Sequence, residues 1–300
     1  MNTKSIIRHG LTWIIGLIFL ASALAAADSQ HFIRVGGSAE SIYDARITDI
    51  EILISLIFNE KFKDQDSQIR IKIYESDLSL SNQLLSGNID ASFMNPVFYL
   101  DHIEHLNSDY TYAIQHGPNK KVKYILLTRR DSDLSSLEAL RDKKLIVPSG
   151  HLVGRRYLDV ELLRANLPVA DEFFSEIRYT GETDSAIINL FFGQVDAALV
   201  TDFSYEVASE LNRQIPQALQ IIHTSAPLIH MLISIHKDFS PQLADKFLPF
   251  IDTINDSPRL QHLRKTFRLA GVKKIEPGDL HDLELLNQEY STLMKKSSSQ

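Results

Sequence analysis

The chain has 300 residues, no cysteine, and 31 basic against 38 acidic side chains, which gives a formal charge of −7 at pH 7. The lack of cysteine excludes disulfides, thiolate metal sites and a lipid-modified N-terminal cysteine, and the acidic balance disfavours nucleic acid and anionic lipid as partners. The length is sufficient for two lobes with a large buried core, and we predict a monomer.

Residues 1–27 have the organisation of a secretory signal peptide. Lys4 and Arg8 make the start basic, a mostly apolar run follows, and the segment ends in small, alanine-rich sequence. Because the apolar run is short for a membrane span of about 20 residues, we predict cleavage between Ala25 and Ala27, and so a periplasmic protein, rather than an uncleaved anchor. Cleavage removes two basic residues and no acidic ones, so the formal charge becomes −9.

Strand and helix patterns alternate along the rest of the chain. The strand patterns are short runs rich in β-branched and aromatic residues, and the helix patterns carry apolar residues at helical spacing. The predicted strands cover residues 32–35, 69–74, 112–115, 122–128, 145–147, 177–179, 221–224 and 230–236. The predicted helices cover residues 47–58, 136–140, 154–165, 203–212, 241–256, 258–267 and 280–295, and one more begins at Asn95. This alternation indicates an α/β fold with mainly parallel sheets covered on both faces.

Two segments of the chain are alike. Residues 80–94 and 187–200 each combine an apolar helix pattern, a glycine, the sequence Ile/Val-Asp-Ala and a strand-like run. Gly87 and Gly193 stand where a helix commonly ends in a left-handed residue. A glycine before an apolar residue is also usual at a single helix-to-strand corner, but two copies favour two α/β lobes of similar design that meet at a cleft.

The pattern predicts a chain that leaves its first lobe and later returns to it. Lobe one comprises residues 28–118 and 225–300, and lobe two comprises residues 119–224. The crossings, near residues 117–123 and 224–228, form a pair of connecting strands. We expect such a pair to act as a hinge.

Turns between a predicted strand and a predicted helix are the candidate binding sites. They present unpaired backbone N–H groups and the positive end of the helix dipole, which favour anions, and they fall at the carboxyl ends of strands, where α/β sheets bind ligands. From these turns and the helices after them we select Ser38, Tyr43, Asn95, Tyr99, Ser149 and Thr183 as ligand-binding candidates. The serines and the threonine can equally be simple N-caps, and the tyrosines can be packing residues.

Three motifs stand in a distinctive order along the chain. Residues 95–99 read NPVFY, residues 140–149 read LRDKKLIVPS, and residues 180–198 run from TGETDS to VDAA. Together they resemble the phosphate/phosphite/phosphonate-binding family of periplasmic solute-binding proteins, over nearly all of residues 32–270. The resemblance implies the periplasmic-binding-protein-like II fold, in which two similar lobes joined by a two-strand hinge close around a solute.

The resemblance also implies roles for single residues. In the family, an acid placed like Asp202 often meets a ligand amine, although an acid here can also cap the next helix. A histidine usually precedes the acid of the last motif, whereas here Thr183 precedes Asp184, and His151 is the candidate substitute. The second-lobe helix starts with one hydroxyl, Ser149, where the best phosphonate binders have several. Another small oxyanion or an organic acid therefore stays open as the ligand, besides phosphonate, phosphite and phosphate-like compounds.

The implied function is capture of a small oxyanion and its delivery to an ABC importer. The alternatives are a solitary periplasmic sensor of the same fold, which signals to a membrane receptor kinase or cyclase, and a periplasmic enzyme on this scaffold. The sequence contains no Walker loop, no G-x-G-x-x-G motif and no G-x-S-x-G nucleophile elbow. We therefore predict a non-enzyme without catalytic residues, metal or cofactor.

Overall fold

The computed structural model describes residues 31–40, 67–115, 119–181, 183–241 and 270–297, with residues 244, 248, 249, 251, 255 and 261. The predicted signal peptide and the helix predicted at 47–58 lie outside the described residues, as do most of the two helices predicted between 241 and 267. Among the described residues, no helix is long and apolar enough to cross a bilayer.

Strands and helices alternate in the described chain. The strands are β1 (His31–Ser38), β2 (Ser67–Tyr74), β3 (Ala91–Met94), β4 (Leu106–Gln115), β5 (Lys121–Val122), β6 (Tyr124–Arg129), β7 (Lys144–Pro148), β8 (Glu176–Thr180), β9 (Ala197–Thr201), β10 (Leu219–Thr224), β11 (Leu228–Ile229), β12 (Leu232–His236) and β13 (Gly271–Lys274). The helices are α1 (Asp77–Leu85), α2 (Pro96–Asp101), α3 (Leu152–Arg164), α4 (Ala170–Phe173), α5 (Thr183–Phe191), α6 (Asp202–Leu211), α7 (Ile215–Ala218) and α8 (His281–Ser297). The predicted helix at 136–140 is a short 3-10 helix, Glu138–Leu140, and β13, α4 and α7 were not predicted.

Two larger sheets each combine a parallel and an antiparallel part. The first has the order β13-β4-β12-β3-β1-β2, with β1 parallel to β2 and β3 and the other pairs antiparallel. The second has the order β10-β6-β9-β7-β8, with β7 parallel to β8 and β9 and the other pairs antiparallel. The α/β class is confirmed, but the sheets are mixed rather than mainly parallel. Parallel neighbours need a helical crossover, whereas β6 and β12 enter their sheets straight from the connection between them.

That connection is a two-stranded antiparallel ladder, here called the link. β5 pairs with β11, so that Lys121 lies opposite Ile229 and Val122 opposite Leu228. β5 leads into β6 of the second sheet, and β11 leads back to β12 of the first. The link stands where the sequence predicts the two-strand hinge. The exact division of the chain into lobes stays a prediction.

The two alike segments occupy equivalent places in the two sheets. Their glycines have positive φ angles of 66° and 70°, and the strands after them pair in parallel with β1 and β7. In the first, Asp90 Oδ2 accepts a hydrogen bond from Arg34 N at 2.7 Å. In the second, Asp196 Oδ2 accepts one from Lys144 N at 2.8 Å. The repeated aspartate, directly before its own strand, therefore ties the start of that strand to the neighbouring parallel strand.

The apolar interior is continuous between the two sheets. One buried cluster contains residues beside the first sheet, in the link and in the second sheet, among them Leu80, Met94, Val122, Leu126, Leu199 and Leu228. The C-terminal helix α8 packs along α3, with Leu283 buried, and Glu289 of α8 accepts two hydrogen bonds from Arg164 of α3, at 2.7 and 2.6 Å. The chain therefore passes from β13 of the first sheet into α8, which packs against α3, the helix that follows β7 of the second sheet.

Candidate functional site

Two helix N-termini lie side by side at one edge of the second sheet. β7 ends at Pro148, directly opposite Thr180 at the end of β8, and Ser149 N donates a hydrogen bond to Thr180 O at 2.8 Å. The chain then turns through Gly150, with a φ of 80°, into α3, while Thr183 begins α5. Because both helices start at the carboxyl ends of adjacent parallel strands, the N–H groups of both first turns meet at one edge.

His151, the N-cap residue of α3, lies in a buried cluster with Tyr124 and His230. The Tyr124 hydroxyl lies 2.6 Å from Nδ1 of His230. The His151 ring packs edge-on against both, with ring centroids 5.7 Å from Tyr124 and 5.0 Å from His230. None of the three is more than 2% exposed. Since Tyr124 begins β6 and His230 lies between β11 and β12, this cluster joins the start of α3 to both ends of the link.

Tyr124 is held by its backbone and by its ring. Its N–H donates to Ser225 Oγ at 2.8 Å, and its carbonyl accepts from Ser225 N at 2.8 Å. The ring lies against Gly154 in the first turn of α3, where an added β-carbon would be 2.4 Å from ring atom Cδ1. Only glycine permits this approach of helix and ring.

Asp202 connects the link to α6. Its Oδ1 accepts hydrogen bonds from Lys123 N at 3.0 Å and Phe203 N at 2.9 Å, and its own N–H donates to Lys123 O at 2.8 Å. Thr201, not Asp202, is the N-cap residue of α6. Asp184 is half-buried in the first turn of α5, beside the turn that holds Ser149.

Ser38 ends β1, and Asn95 follows β3, its parallel neighbour in the first sheet. Ser38 is fully buried, and its Oγ accepts a hydrogen bond from Glu40 N at 3.0 Å. Asn95 is the N-cap residue of α2, because its Oδ1 accepts from Phe98 N at 2.8 Å, and its Nδ2 donates to Asp77 Oδ2 at 2.9 Å. Both side chains thus stabilise the local turns in which they lie.

Tyr99 lies in the core of the first sheet. It is 1% exposed and hydrogen-bonds to Thr111, whose Oγ1 is 2.7 Å from Ser234 Oγ. Burial raises the pKa of Tyr99, and the Thr111 hydrogen bond offsets part of the rise. This placement agrees with the packing role that the sequence left open for Tyr99. Tyr43 lies outside the described residues.

The sequence reasoning missed Tyr124 and His230. We predicted one strand through residues 230–236, but β11 ends at Ile229 and β12 begins at Leu232, so His230 lies between two strands of different sheets. The available signal was position, because Tyr124 and His230 flank the two predicted crossings. The structure thus brings Ser149, His151 and the start of α5 together with two residues that had no predicted role.

A known protein family matches most of the chain. The family described as "ABC transporter, phosphonate, periplasmic substrate-binding protein" matches residues 60–282. The chain belongs to this family. Its members are periplasmic proteins that bind substrate for ABC transporters. The resemblance seen in the motifs is confirmed, and the protein is a solute-binding member of the phosphonate-binding family.

Solved structures share the fold of this family member. A binding protein component of an ABC phosphonate transporter from Pseudomonas aeruginosa (PA3383) has a TM-score of 0.61 at 11% identity, over 90% of this chain and 99% of that chain. PhnD1 from Prochlorococcus marinus, in complex with methylphosphonate, has a TM-score of 0.63 at 13% identity, over 88% and 99%. XAC2383 from Xanthomonas citri, bound to ATP, has a TM-score of 0.64 at 14% identity, over 88% and 98%. No curated protein sequence matches the chain.

At these identities the solved structures show the fold alone. The predicted fold class is confirmed, with two lobes of a type II periplasmic binding protein. The phosphonate-binding family supplies the solute-binding role and the two kinds of partner, a small ligand and an ABC permease.

Proposed function

We propose that the protein captures a small oxyanion, such as a phosphonate, phosphite or phosphate, between its lobes in the periplasm and delivers it to an ABC importer. One observation carries the proposal: the first turns of α3 and α5 open side by side at the edge of the second sheet that adjoins the link. A tetrahedral anion can accept hydrogen bonds from both turns at once.

The electrostatics require the binding groups to be local. The mature chain has a predicted formal charge of −9, so its overall field repels anions. Backbone N–H groups and hydroxyls in the two turns act at contact distance. Each charge-assisted hydrogen bond contributes about 1.5–3 kcal/mol, so four or five are enough for micromolar affinity, which corresponds to about 8 kcal/mol.

The proposed contacts come from both lobes. In the second lobe they are Ser149, His151, Thr183 and Asp184, with Asp202 near any substituent of the ligand. In the first lobe they are the turns after β1 and β3, with Ser38, Tyr43, Asn95 and Tyr99 close to or supporting them. We propose that the protein acts as a monomer, with lobe one at 28–118 and 225–300 and lobe two at 119–224.

A thermal-shift panel tests the ligand class. The compounds are phosphate, phosphite, methylphosphonate, 2-aminoethylphosphonate, sulfate and acetate. At about 100 times its dissociation constant, a true ligand stabilises the protein by about 2.7 kcal/mol. We expect one phosphorus oxyanion to do so. A flat response to all of them would refute the oxyanion proposal.

A double variant tests the two turns. Ser149→Ala with Thr183→Ala should weaken binding of the best phosphorus oxyanion by about tenfold or more, measured by calorimetry. The matched control is Ser291→Ala with Thr292→Ala, because both hydroxyls are exposed on α8 and donate to carbonyls of their own helix. Equal affinity in the two double variants would place the anion elsewhere. Delivery is tested by uptake of radiolabelled ligand into cells with and without the gene.

A further inference from the structure

The link separates two residues that nevertheless touch. Lys121 pairs with Ile229 and Val122 with Leu228. If the pairing is continued beyond both ends of the ladder, Tyr124 lies at the end nearest the second sheet and His230 at the end nearest the first. In a regular ladder these ends are roughly 13 Å apart along the strands, so the two side chains reach toward each other along the link.

A hydrogen bond closes this gap. The Tyr124 hydroxyl lies 2.6 Å from His230 Nδ1, and both residues are buried. Tyr124 belongs to β6 of the second sheet, and His230 leads directly into β12 of the first. A bond of this kind is lost when donor and acceptor move apart by about 1 Å. It therefore forms only in arrangements of the two lobes that keep this spacing.

The same tyrosine touches the helix start proposed to bind the anion. The Tyr124 ring lies against the backbone of Gly154, and the His151 ring packs edge-on against both Tyr124 and His230. Two hydrogen bonds to Ser225 fix the Tyr124 backbone, so the ring has little freedom to follow a moving partner. The link, the first turn of α3 and the segment entering the first sheet are thus packed around one side chain.

We propose that the Tyr124–His230 hydrogen bond is a latch across the hinge, which stabilises the arrangement of the lobes in which the first turn of α3 is covered. This inference rests on the proposed function in placing the anion at that turn. Tyr124 and His230 are positioning residues. Their bond raises the population of the covered arrangement, and apparent affinity rises in proportion to that population.

Two substitutions separate the bond from the packing. Tyr124→Phe keeps the ring against Gly154 and removes only the hydroxyl. His230→Asn keeps a side-chain amide near the place of imidazole Nδ1, which can accept through Oδ1 or donate through Nδ2, whereas His230→Ala removes this partner of the hydroxyl. Tyr205→Phe is the matched control, since it removes a half-buried phenol hydroxyl from α6 whose ring packs against a different buried cluster, in the second sheet.

The distance between the lobes can be measured with dyes on introduced cysteines, because the chain has no cysteine of its own. This measurement needs no ligand. Leu85 ends α1, beside the first sheet, and Phe192 follows α5, beside the second; they are 51% and 67% exposed. Both can be replaced by cysteine for donor and acceptor dyes. By single-molecule energy transfer, we expect Tyr124→Phe and His230→Ala to shift or broaden the distance distribution of the ligand-free protein. His230→Asn and Tyr205→Phe should match the parent protein.

Affinity for methylphosphonate and for inorganic phosphate is measured on the same proteins. We expect Tyr124→Phe and His230→Ala to bind about fivefold more weakly, the effect of one hydrogen bond, and His230→Asn to restore most of the loss. Unchanged distances in Tyr124→Phe would overturn the latch, and so would changed distances with unchanged affinity. If the parent protein binds neither of these compounds, nor phosphite or 2-aminoethylphosphonate in the thermal-shift panel, the proposed function fails, while the ligand-free distances still decide whether the latch exists.

Discussion

The close contact between Gly154 and the Tyr124 ring predicts that Gly154→Ala destabilises the protein. In Gly154→Ala, the new β-carbon would lie 2.4 Å from Cδ1 and 2.8 Å from Cε1 of the ring. Carbon atoms pack at about 3.5–4.0 Å, so the overlap is about 1 Å. The ring cannot simply withdraw, because its hydroxyl is bonded to His230 and it is fully buried.

Two effects of known size oppose each other in this variant. Overpacking a well-packed site costs about 1–3 kcal/mol, whereas replacing glycine by alanine inside a helix gains about 1 kcal/mol. We therefore expect Gly154→Ala to lower the free energy of unfolding by about 1 kcal/mol, which lowers Tm by roughly 2–4 °C in a protein of this size. Urea and thermal unfolding measure both quantities.

A double-mutant cycle provides the control. In a Tyr124→Ala background the ring is gone, so Gly154→Ala should become stabilising by about 1 kcal/mol, and the coupling between the two sites should be about 2 kcal/mol. If Gly154→Ala stabilises the parent protein by the full helix-propensity gain, the ring is free to move and the reasoning is refuted.

Three further variants test local contacts. Ser225→Ala removes the acceptor for the buried Tyr124 N–H. We expect the free energy of unfolding, measured in urea, to fall by about 1–3 kcal/mol. A smaller decrease would mean that another group satisfies the amide. Asn95→Ala removes the N-cap of α2 and should lower the free energy of unfolding by about 1 kcal/mol. An unchanged free energy of unfolding would show that the cap does not stabilise the protein. Burial raises the pKa of Asp159, so its folded state holds a proton more readily than its unfolded state. Relative to Asp159→Asn, the parent protein should therefore gain stability as pH falls from 7 toward about 4. The same difference in free energy of unfolding between the two proteins at both pH values, measured in urea, would contradict this.

Local sequence patterns identified the turns of the candidate site, but not which side chains of the helices after them are buried. Ser149 and Thr183 are candidates because strand-to-helix turns have a local signature, and the structure places those turns at one edge of the second sheet. Tyr99 carries the same kind of signature, yet its ring is turned into the core, where it meets Thr111. A motif fixes the position of a residue along a helix, whereas the packing of distant strands fixes which side of the helix is inside.

The sequence by itself determined the alternation of strands and helices, the two alike segments and the helix ends at Gly87 and Gly193, because these depend on the residues within a turn or two. Only the tertiary structure decided that β6 and β12 run antiparallel to their neighbours and that Tyr124 meets His230. Those two residues are 106 positions apart in the chain. Contacts of that range are selected by the packing of the whole chain, and no short stretch of sequence records them.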